Sequence, residues 1–535
     1  MLGQNLPKSP CSVPKAQAFG LFLILRLPWR AFGTICRLRR LRHLPAWGLG
    51  GRRGHPSWAV AASFKTLRNG KVILRLEQGS FDIICAMFKK LSPFVVVVIL
   101  LVGVRLSVMQ CSSVFDPSEA RYAAIAANMS RSGDYLVPRF IHEGVFQSFD
   151  GKPPLLFQAG GIFCSLLGEN EFAVRLPSFL AAVILLGILY FAVKEVSGRE
   201  AARRAVAICG TSVAFYALAG FCMTDMLLAL SIAGALLLEG VFNLKPSKLL
   251  SICIFGLLGL GMLIKGPIAV VLFGFPTFLD ACLNKRWKVL SQHCWGWGPL
   301  LFFAICAPWY VAMERETPGF LSYFFIHENF LRFLIHEYGD KYGAGREFFR
   351  GMAIIWFVVV TLPWTLFVRI HRPFINYKRL DLWTISILAI TFFWCLTSRI
   401  PLAYMIPVVP LFAAVLARNI DARQFCRGAW LSAIVAPVVL VGTLTTASLT
   451  SNKLPGPFMK AVKRTLAPNE RVTFAERKFY SPEFYLGRAL VPAKEVPKEG
   501  LVLARRKFLK KCPKDVTIRL EDKNWVLLEM GGEKK

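Results

Sequence analysis

The sequence predicts a mainly α-helical polytopic membrane protein carrying a small α+β C-terminal domain. Three observations lead there. The chain is 55% hydrophobic with a mean hydropathy of +0.49, too apolar for an ordinary soluble protein. Its apolar residues come in blocks approaching the roughly 20 residues that a spanning helix requires. Short loops rich in Lys and Arg separate those blocks, as cytoplasmic loops are. The formal net charge of +33 would suggest nucleic acid in a soluble domain. Here the cations lie in those loops and in the N-terminal extension, so they read as membrane anchoring, with no nucleic-acid partner. The 14 cysteines form no C-x-x-C pair and no metal-ligand spacing, so neither a disulfide framework nor a zinc site is indicated.

Residues 1–86 are rich in Arg and Gly and nearly free of acids, and their one apolar run, Phe19 to Leu27, is too short to span. We read them as an extension outside the mature protein, because M-F-K-K at Met87 before an apolar run resembles a start; a targeting segment is the alternative. The first span is expected from about Pro93 to Met109. Lys89 and Lys90 precede it, which puts Asp116 on the outer side. The block from Leu155 to Leu167 has 13 residues and the loop charges decide its status. If it does not span, the loops Lys194–Arg204, Lys245–Lys248, Asn284–Lys288, His371–Arg379 and Arg418–Arg427 all face inward, and all five are basic. It is therefore expected to lie as a helix at the outer interface. Further spans are expected near 177–193, 203–222, 225–243, 249–264, 267–283, 295–313, 351–370, 382–397, 401–417 and 429–449, about eleven in all. The tail from Ser451 to Lys535, with patches R-V-T-F, L-V-L-A and W-V-L-L, predicts the α+β domain.

On this topology the outer face collects most of the polar residues able to do chemistry. Asp116, Glu119, Arg121 and Tyr122 open a helix, where acids also serve as caps. An acid pair there could instead deprotonate an acceptor hydroxyl. Asp150 and Lys152 follow, with Pro153 and Pro154 stiffening the segment. Asp225 begins a span after Thr224, and Lys265 stands between two apolar blocks, a costly place unless it meets an anion. Arg332, Lys341, Arg346, Arg350 and Arg399 add cations, and the guanidinium fork suits phosphate. Cations beside carboxylates at a membrane surface fit a phosphorylated lipid. The H-E pairs at His327–Glu328 and His336–Glu337 lack the H-E-x-x-H spacing and read as interfacial polar residues, so no metal ligands are assigned.

Several runs together carry a resemblance: D-P-S-E-A-R-Y-A, S-G-D-Y-L-V-P-R, F-D-G-K-P-P-L, G-E-N-E-F-A-V-R-L-P-S, T-D-M-L, I-K-G-P and S-R-I-P-L-A-Y-M-I-P-V-V-P. From Met87 to Leu449 the chain resembles the GT-C glycosyltransferases that use polyprenyl-phosphate sugars, within them the bacterial aminoarabinose transferases and protein O-mannosyltransferases. The resemblance implies a GT-C helix bundle with outer interfacial helices. It also implies transfer of a sugar from an undecaprenyl-phosphate donor to an acceptor, at the periplasmic face of the bacterial cytoplasmic membrane. It assigns Glu119, Arg121 and Tyr122 to the first-loop signature, Lys152 to the lysine before Pro-Pro, Asp225 to T-D-M, Lys265 to K-G-P, and Arg399 and Tyr404 to the last motif. Two positions depart from the aminoarabinose transferases, Ser118 and Gly151, where they carry acids; Asp116 and Asp150 are the nearby candidates to compensate.

The expected enzyme moves the sugar to a lipid A-like glycolipid, with a protein or other glycan acceptor as the alternative. Asp116 or Glu119 would orient or deprotonate the acceptor. Lys152, Lys265 and Arg332 or Arg399 would hold the lipid phosphate as its charge grows. The leaving group being a lipid phosphate, no cofactor is required and a divalent metal is not indicated. A lipid-linked sugar flippase or transporter is the alternative of another class, although no internal repeat is visible.

Overall fold

The structure, a computed structural model, describes residues 62–66, 72–76, 93–142, 145–331, 347–368, 380–450, 456–467, 470–474, 480–487, 491–492, 499–512 and 516–531. Contacts divide the chain into two compact units, residues 1–99 and 100–535. The first contains an antiparallel hairpin, β1 (Ala62–Thr66) and β2 (Val72–Leu76), in the register Ala62 to Leu76. Apart from this hairpin, the reading of residues 1–86 as an extension falls outside the described residues.

The second unit is a helix bundle that ends in a sheet. Helix α1 (Pro93–Cys111), which begins in the first unit, leads to α2 (Ser118–Ser132). Gly133, at φ 72, closes α2 by donating its N–H to Met129 O, a left-handed cap that glycine adopts without strain. A hairpin of β3 (Arg139–His142) and β4 (Val145–Ser148) leads to α3 (Leu155–Leu167). At 13 residues α3 is about 20 Å long, well short of the ~30 Å hydrocarbon core. It packs tightly on α2: a Cβ on Gly160 would come within 2.9 Å of Ala126 Cβ. Its far side exposes Ile162, Leu166 and Leu167.

Helix α4 (Glu171–Thr211) kinks at Gly198, where φ is 86 and ψ 171. The kink falls inside the expected basic loop 194–204, and the second limb ends at Thr211, well before the end of the span expected at 203–222. After α5 (Val213–Leu218) come α6 (Thr224–Phe242), α7 (Lys248–Lys265) and α8 (Ile268–Leu283). These three coincide with the spans read at 225–243, 249–264 and 267–283 to within one residue. Next come α9 (Trp297–Glu316), a π-helix over Ser322–Leu331, α10 (Met352–Thr361), α11 (Leu382–Cys395), α12 (Val408–Asn419) and α13 (Ala422–Thr450). Proline breaks two expected spans: Pro363 stops α10 before a 3-10 turn at Trp364–Phe367, and Pro407 separates the 3-10 turn Leu402–Met405 from α12. Among the described residues, four helices are long and apolar enough to cross a membrane: Glu171–Thr211, Thr224–Phe242, Lys248–Lys265 and Ala422–Gly442. Shorter apolar helices accompany them. The chain is a multi-pass membrane protein.

After α14 (Gly456–Thr465) and α15 (Ser481–Leu486), a five-stranded mixed sheet has the order β6-β5-β7-β9-β8. Its strands are β5 (Val472–Phe474), β6 (Val491–Pro492), β7 (Gly500–Arg505), β8 (Thr517–Glu521) and β9 (Trp525–Met530). The patches R-V-T-F, L-V-L-A and W-V-L-L become β5, β7 and β9. Both faces of β7 and β9 are covered: Val502, Val526 and Leu528 pack on one side, Leu503, Trp525 and Leu527 on the other. The alternation expected of a half-solvated strand is therefore replaced by continuous apolar runs.

Candidate active site

Because consecutive helices run antiparallel, the start of α6, the end of α7, the start of α8 and the end of α9 meet at one end of the bundle. T-D-M and I-K-G-P thereby become neighbours. Lys265 Nζ donates to Asp225 Oδ1 at 2.8 Å, and both side chains are buried, 8% and 5% exposed. The ammonium also stands 3.6 Å from the centre of the Tyr404 ring, which packs on Trp394 at 4.9 Å. A cation over an aromatic face in a dry site gains energy without needing a second counter-charge. Gly266, next in chain, has φ +80 and lies so close to the π-helix that a Cβ would meet the Phe324 ring at 2.7 Å.

That π-helix supplies a second pair. Lys152 Nζ donates to Glu328 Oε1 at 2.9 Å and to Gly151 O at 2.7 Å, with Glu328 buried. The site end of the bundle thus holds two lysines, each matched by a carboxylate. Their chemistry suits an anion that can share or displace those carboxylates, because each ammonium keeps donors to spare.

The first-loop acids sit elsewhere. Glu119 is 3% exposed and all its acceptor positions are taken: Oε1 accepts from Arg175 Nε at 2.7 Å and Cys222 N at 3.1 Å, and Oε2 accepts from Arg175 Nη2 at 3.0 Å and Phe115 N at 2.9 Å. Arg175, wholly buried, spends its remaining donors on Met109 O, Ser112 O, Ser112 Oγ and Ser113 O. This ion pair therefore ties α2, the end of α1 and α4 together. Asp116 is a link to the C-terminal segment: its Oδ1 accepts from Tyr480 N at 2.6 Å and Ser481 N at 3.0 Å, and Oδ2 takes the Ser481 hydroxyl. Both acids are thus engaged in bonds that join elements, Glu119 with four donors in a buried setting and Asp116 with three in a half-buried one.

Residues 151–311 match the family described as dolichyl-phosphate-mannose-protein mannosyltransferase. The chain is 30% identical over 227 residues to the undecaprenyl phosphate-alpha-4-amino-4-deoxy-L-arabinose arabinosyl transferase of Edwardsiella ictaluri, covering 41% of this chain and 40% of that protein. It is 26% identical over 348 residues to the enzyme of the same name in Aeromonas hydrophila, covering 61% of each. The chain thus spans roughly two fifths to three fifths of these relatives' length. The crystal structure of ArnT from Cupriavidus metallidurans bound to undecaprenyl phosphate superposes with a TM-score of 0.68 at 16% identity, over 82% of this chain and 99% of that one. The chain has the GT-C fold.

Within the GT-C fold of this chain the other expected residues fall into place unevenly. Arg121 is buried against three rings, Phe149, Tyr480 and Tyr122, at 5.1, 5.4 and 5.7 Å from its guanidinium carbon. Tyr122 packs edge-on to Phe157 at 5.4 Å. Asp150 is buried beside Lys152 in the chain. Arg399 forms a more exposed ion pair, its Nε donating to Glu347 Oε1 at 2.9 Å. Arg332, Lys341 and Arg346 lie outside the described residues, as do His336 and Glu337. Among the described residues no group of three or more His, Cys, Asp or Glu could hold a metal.

Sequence reasoning undervalued Glu328, filed with the H-E pairs, and overlooked Arg175 and Glu483. The signal for Arg175 was present: an arginine four residues into an apolar helix, in G-E-N-E-F-A-V-R, needs a partner. Most of that motif is joinery. Glu169 takes the Arg131 fork at 2.8 and 2.7 Å, Asn170 caps α4 by accepting from Ala173 N at 2.9 Å, and Glu171 accepts from Lys460 at 2.7 and 2.8 Å and from Tyr485 OH at 3.1 Å. Glu483 accepts from Asn128 Nδ2 at 2.6 Å and Ile141 N at 3.1 Å, and burial pushes its carboxyl up to about 7.

Proposed function

We propose that this chain is a glycosyltransferase of the bacterial cytoplasmic membrane that moves a sugar from an undecaprenyl-phosphate-linked donor to a lipid A-like glycolipid at the periplasmic face. The observation that carries the reading is the buried pair Lys265 and Asp225 beneath the half-buried Tyr404 ring at the bundle end, with Lys152 and Glu328 nearby. In the proposed reaction the acceptor oxygen attacks the anomeric carbon as the bond to the phosphate oxygen breaks. The electron pair leaves on the lipid phosphate, and Lys152 and Lys265 stabilise the growing charge. With Asp116 and Glu119 engaged in structural bonds, acceptance of the acceptor's proton falls to Asp225 or Asp150. Arg121, Tyr122, Arg332 and Arg399 are kept as candidate contacts to donor or acceptor. The leaving group is already a phosphate, so the scheme calls for neither nucleotide nor metal.

A protein acceptor is the second reading, favoured by the family matched over residues 151–311. The test gives purified protein in detergent a panel of undecaprenyl-phosphate sugars, with either lipid A or periplasmic protein as acceptor, and reads the products by mass. A sugar appearing on lipid A supports the proposal, and a glycosylated protein moves the acceptor to the second reading. If no glycoside forms while labelled donor crosses proteoliposome membranes, the enzyme reading is replaced by a flippase.

A further inference from the structure

We propose that Glu328 is a positioning residue that competes with the lipid phosphate for Lys152 and so sets how readily the spent carrier leaves. The inference rests on the donor-binding reading above. Glu328 stands on the π-helix Ser322–Leu331, whose Phe324 lies against Gly266, next to Lys265. One element thus bonds Lys152 and packs against the chain neighbour of Lys265, and π-helical turns recur at functional sites. The Glu328 side chain is 5% exposed, Lys152 is 16% exposed, and their bond is 2.9 Å long. Pro153 and Pro154 follow Lys152 directly, so its direction is set by stiff backbone and its Nζ is held between Glu328 and Gly151 O.

In this arrangement Lys152 is already neutralised before any lipid phosphate arrives. An incoming phosphate must take over part of the ammonium from the carboxylate, and a departing one must return it. The carboxylate therefore weakens binding of donor and spent carrier alike, because a like charge beside the anion disfavours it. That loss is useful in a reaction whose product is a long-chain phosphate with little else to drive it off the lysines.

Replacing Glu328 by Gln keeps an oxygen for the Lys152 hydrogen bond and removes only the charge. The probe is undecaprenyl phosphate itself, added to the full-length protein in detergent. The expected result is binding tightened by about tenfold, with KM for the donor and kcat falling together and product inhibition rising. Glu328→Asp, which keeps the charge on a shorter stem, should bind the probe with an affinity between those of wild type and Gln. The combination Glu328→Gln with Lys152→Ala should lose the tightening, since the effect acts through that lysine.

A purely structural Glu328 gives a different pattern: Gln lowers thermal stability and kcat, while the affinity for undecaprenyl phosphate stays at the wild-type value or weakens. That result overturns the proposal. If Gln prevents folding, the Asp variant decides alone, and wild-type affinity in it also overturns the proposal. Should wild-type protein fail to bind the probe at all, the donor-binding reading falls and this inference with it. Binding by wild type without tightening in the variants removes only this inference.

Discussion

Replacing Glu119 should unfold its own end of the bundle before it can reveal anything about catalysis. The carboxylate accepts four hydrogen bonds, two from Arg175 and two from backbone N–H groups of Phe115 and Cys222. Arg175 has no exposed surface. Glu119→Ala strands that guanidinium and two backbone donors in a dry site, and breaking a buried pair from one side costs about 3–5 kcal/mol. Glu119→Gln is only partly conservative: its NH2 group must face either Arg175 Nε with Cys222 N, or Arg175 Nη2 with Phe115 N. Two acceptor contacts are lost, at about 1–3 kcal/mol for each unsatisfied donor. The double change Glu119→Ala with Arg175→Met removes the stranded charge and should recover much of the loss. Thermal unfolding in lipid nanodiscs, with transfer activity measured on the fraction that remains folded, checks this. A Glu119→Gln protein with wild-type stability and no transfer would refute the structural assignment and return Glu119 to the chemistry.

Lys265→Ala and Asp225→Ala are expected to lower turnover on the donor by about 10²–10³ each, read as product formed per folded molecule. An unchanged rate in either excludes that residue from the site. Gly266→Ala forces a side chain into the left-handed region and against the Phe324 ring, so it should shift Lys265, its chain neighbour, and weaken donor binding, measured as a rise in KM. Docking of α15 on α2 should depend on pH through Glu483. Its folded-state value of about 7 lies above the ordinary 4.5, so the folded form holds the proton more tightly. The stability this contributes is complete below about pH 4.5, is lost as pH rises through 7, and amounts to about 3 kcal/mol. Proteolytic release of the C-terminal segment should therefore be faster at pH 8 than at pH 5, and Glu483→Gln should abolish the difference. A wild-type release rate independent of pH sinks the argument.

What the sequence could disclose follows from the range of the forces involved. The helix bounds of α6, α7 and α8 were legible to a residue because hydropathy is a local property and the bounding residues, Thr224, Lys248 and Lys265, are polar. The short helix α3 was legible as an apolar block of 13 residues, and loop charge carries the expectation that it lies at the interface. Roles of individual acids were not, because an acid's role depends on which donors reach it from distant positions. Asp116 and Glu119 look identical in sequence to a catalytic pair, since both uses need a carboxylate at a helix start. Only the folded chain reveals that Tyr480 and Ser481, more than 360 residues on, occupy one, and that Arg175 and Cys222 occupy the other. The consequence reaches the motifs themselves. In D-P-S-E-A-R-Y and G-E-N-E-F-A-V-R most charged positions join elements, whereas in F-D-G-K-P-P and I-K-G-P the lysines meet carboxylates at the bundle end. The same arithmetic recasts Gly151. A side-chain acid is absent there, its carbonyl accepts Lys152, and the carboxylate comes from Glu328 on another element. The charge beside that lysine is thus carried by a helix packed near Lys265. Motion of the π-helix would carry that carboxylate away from Lys152, a freedom that an acid fixed at position 151 would not provide.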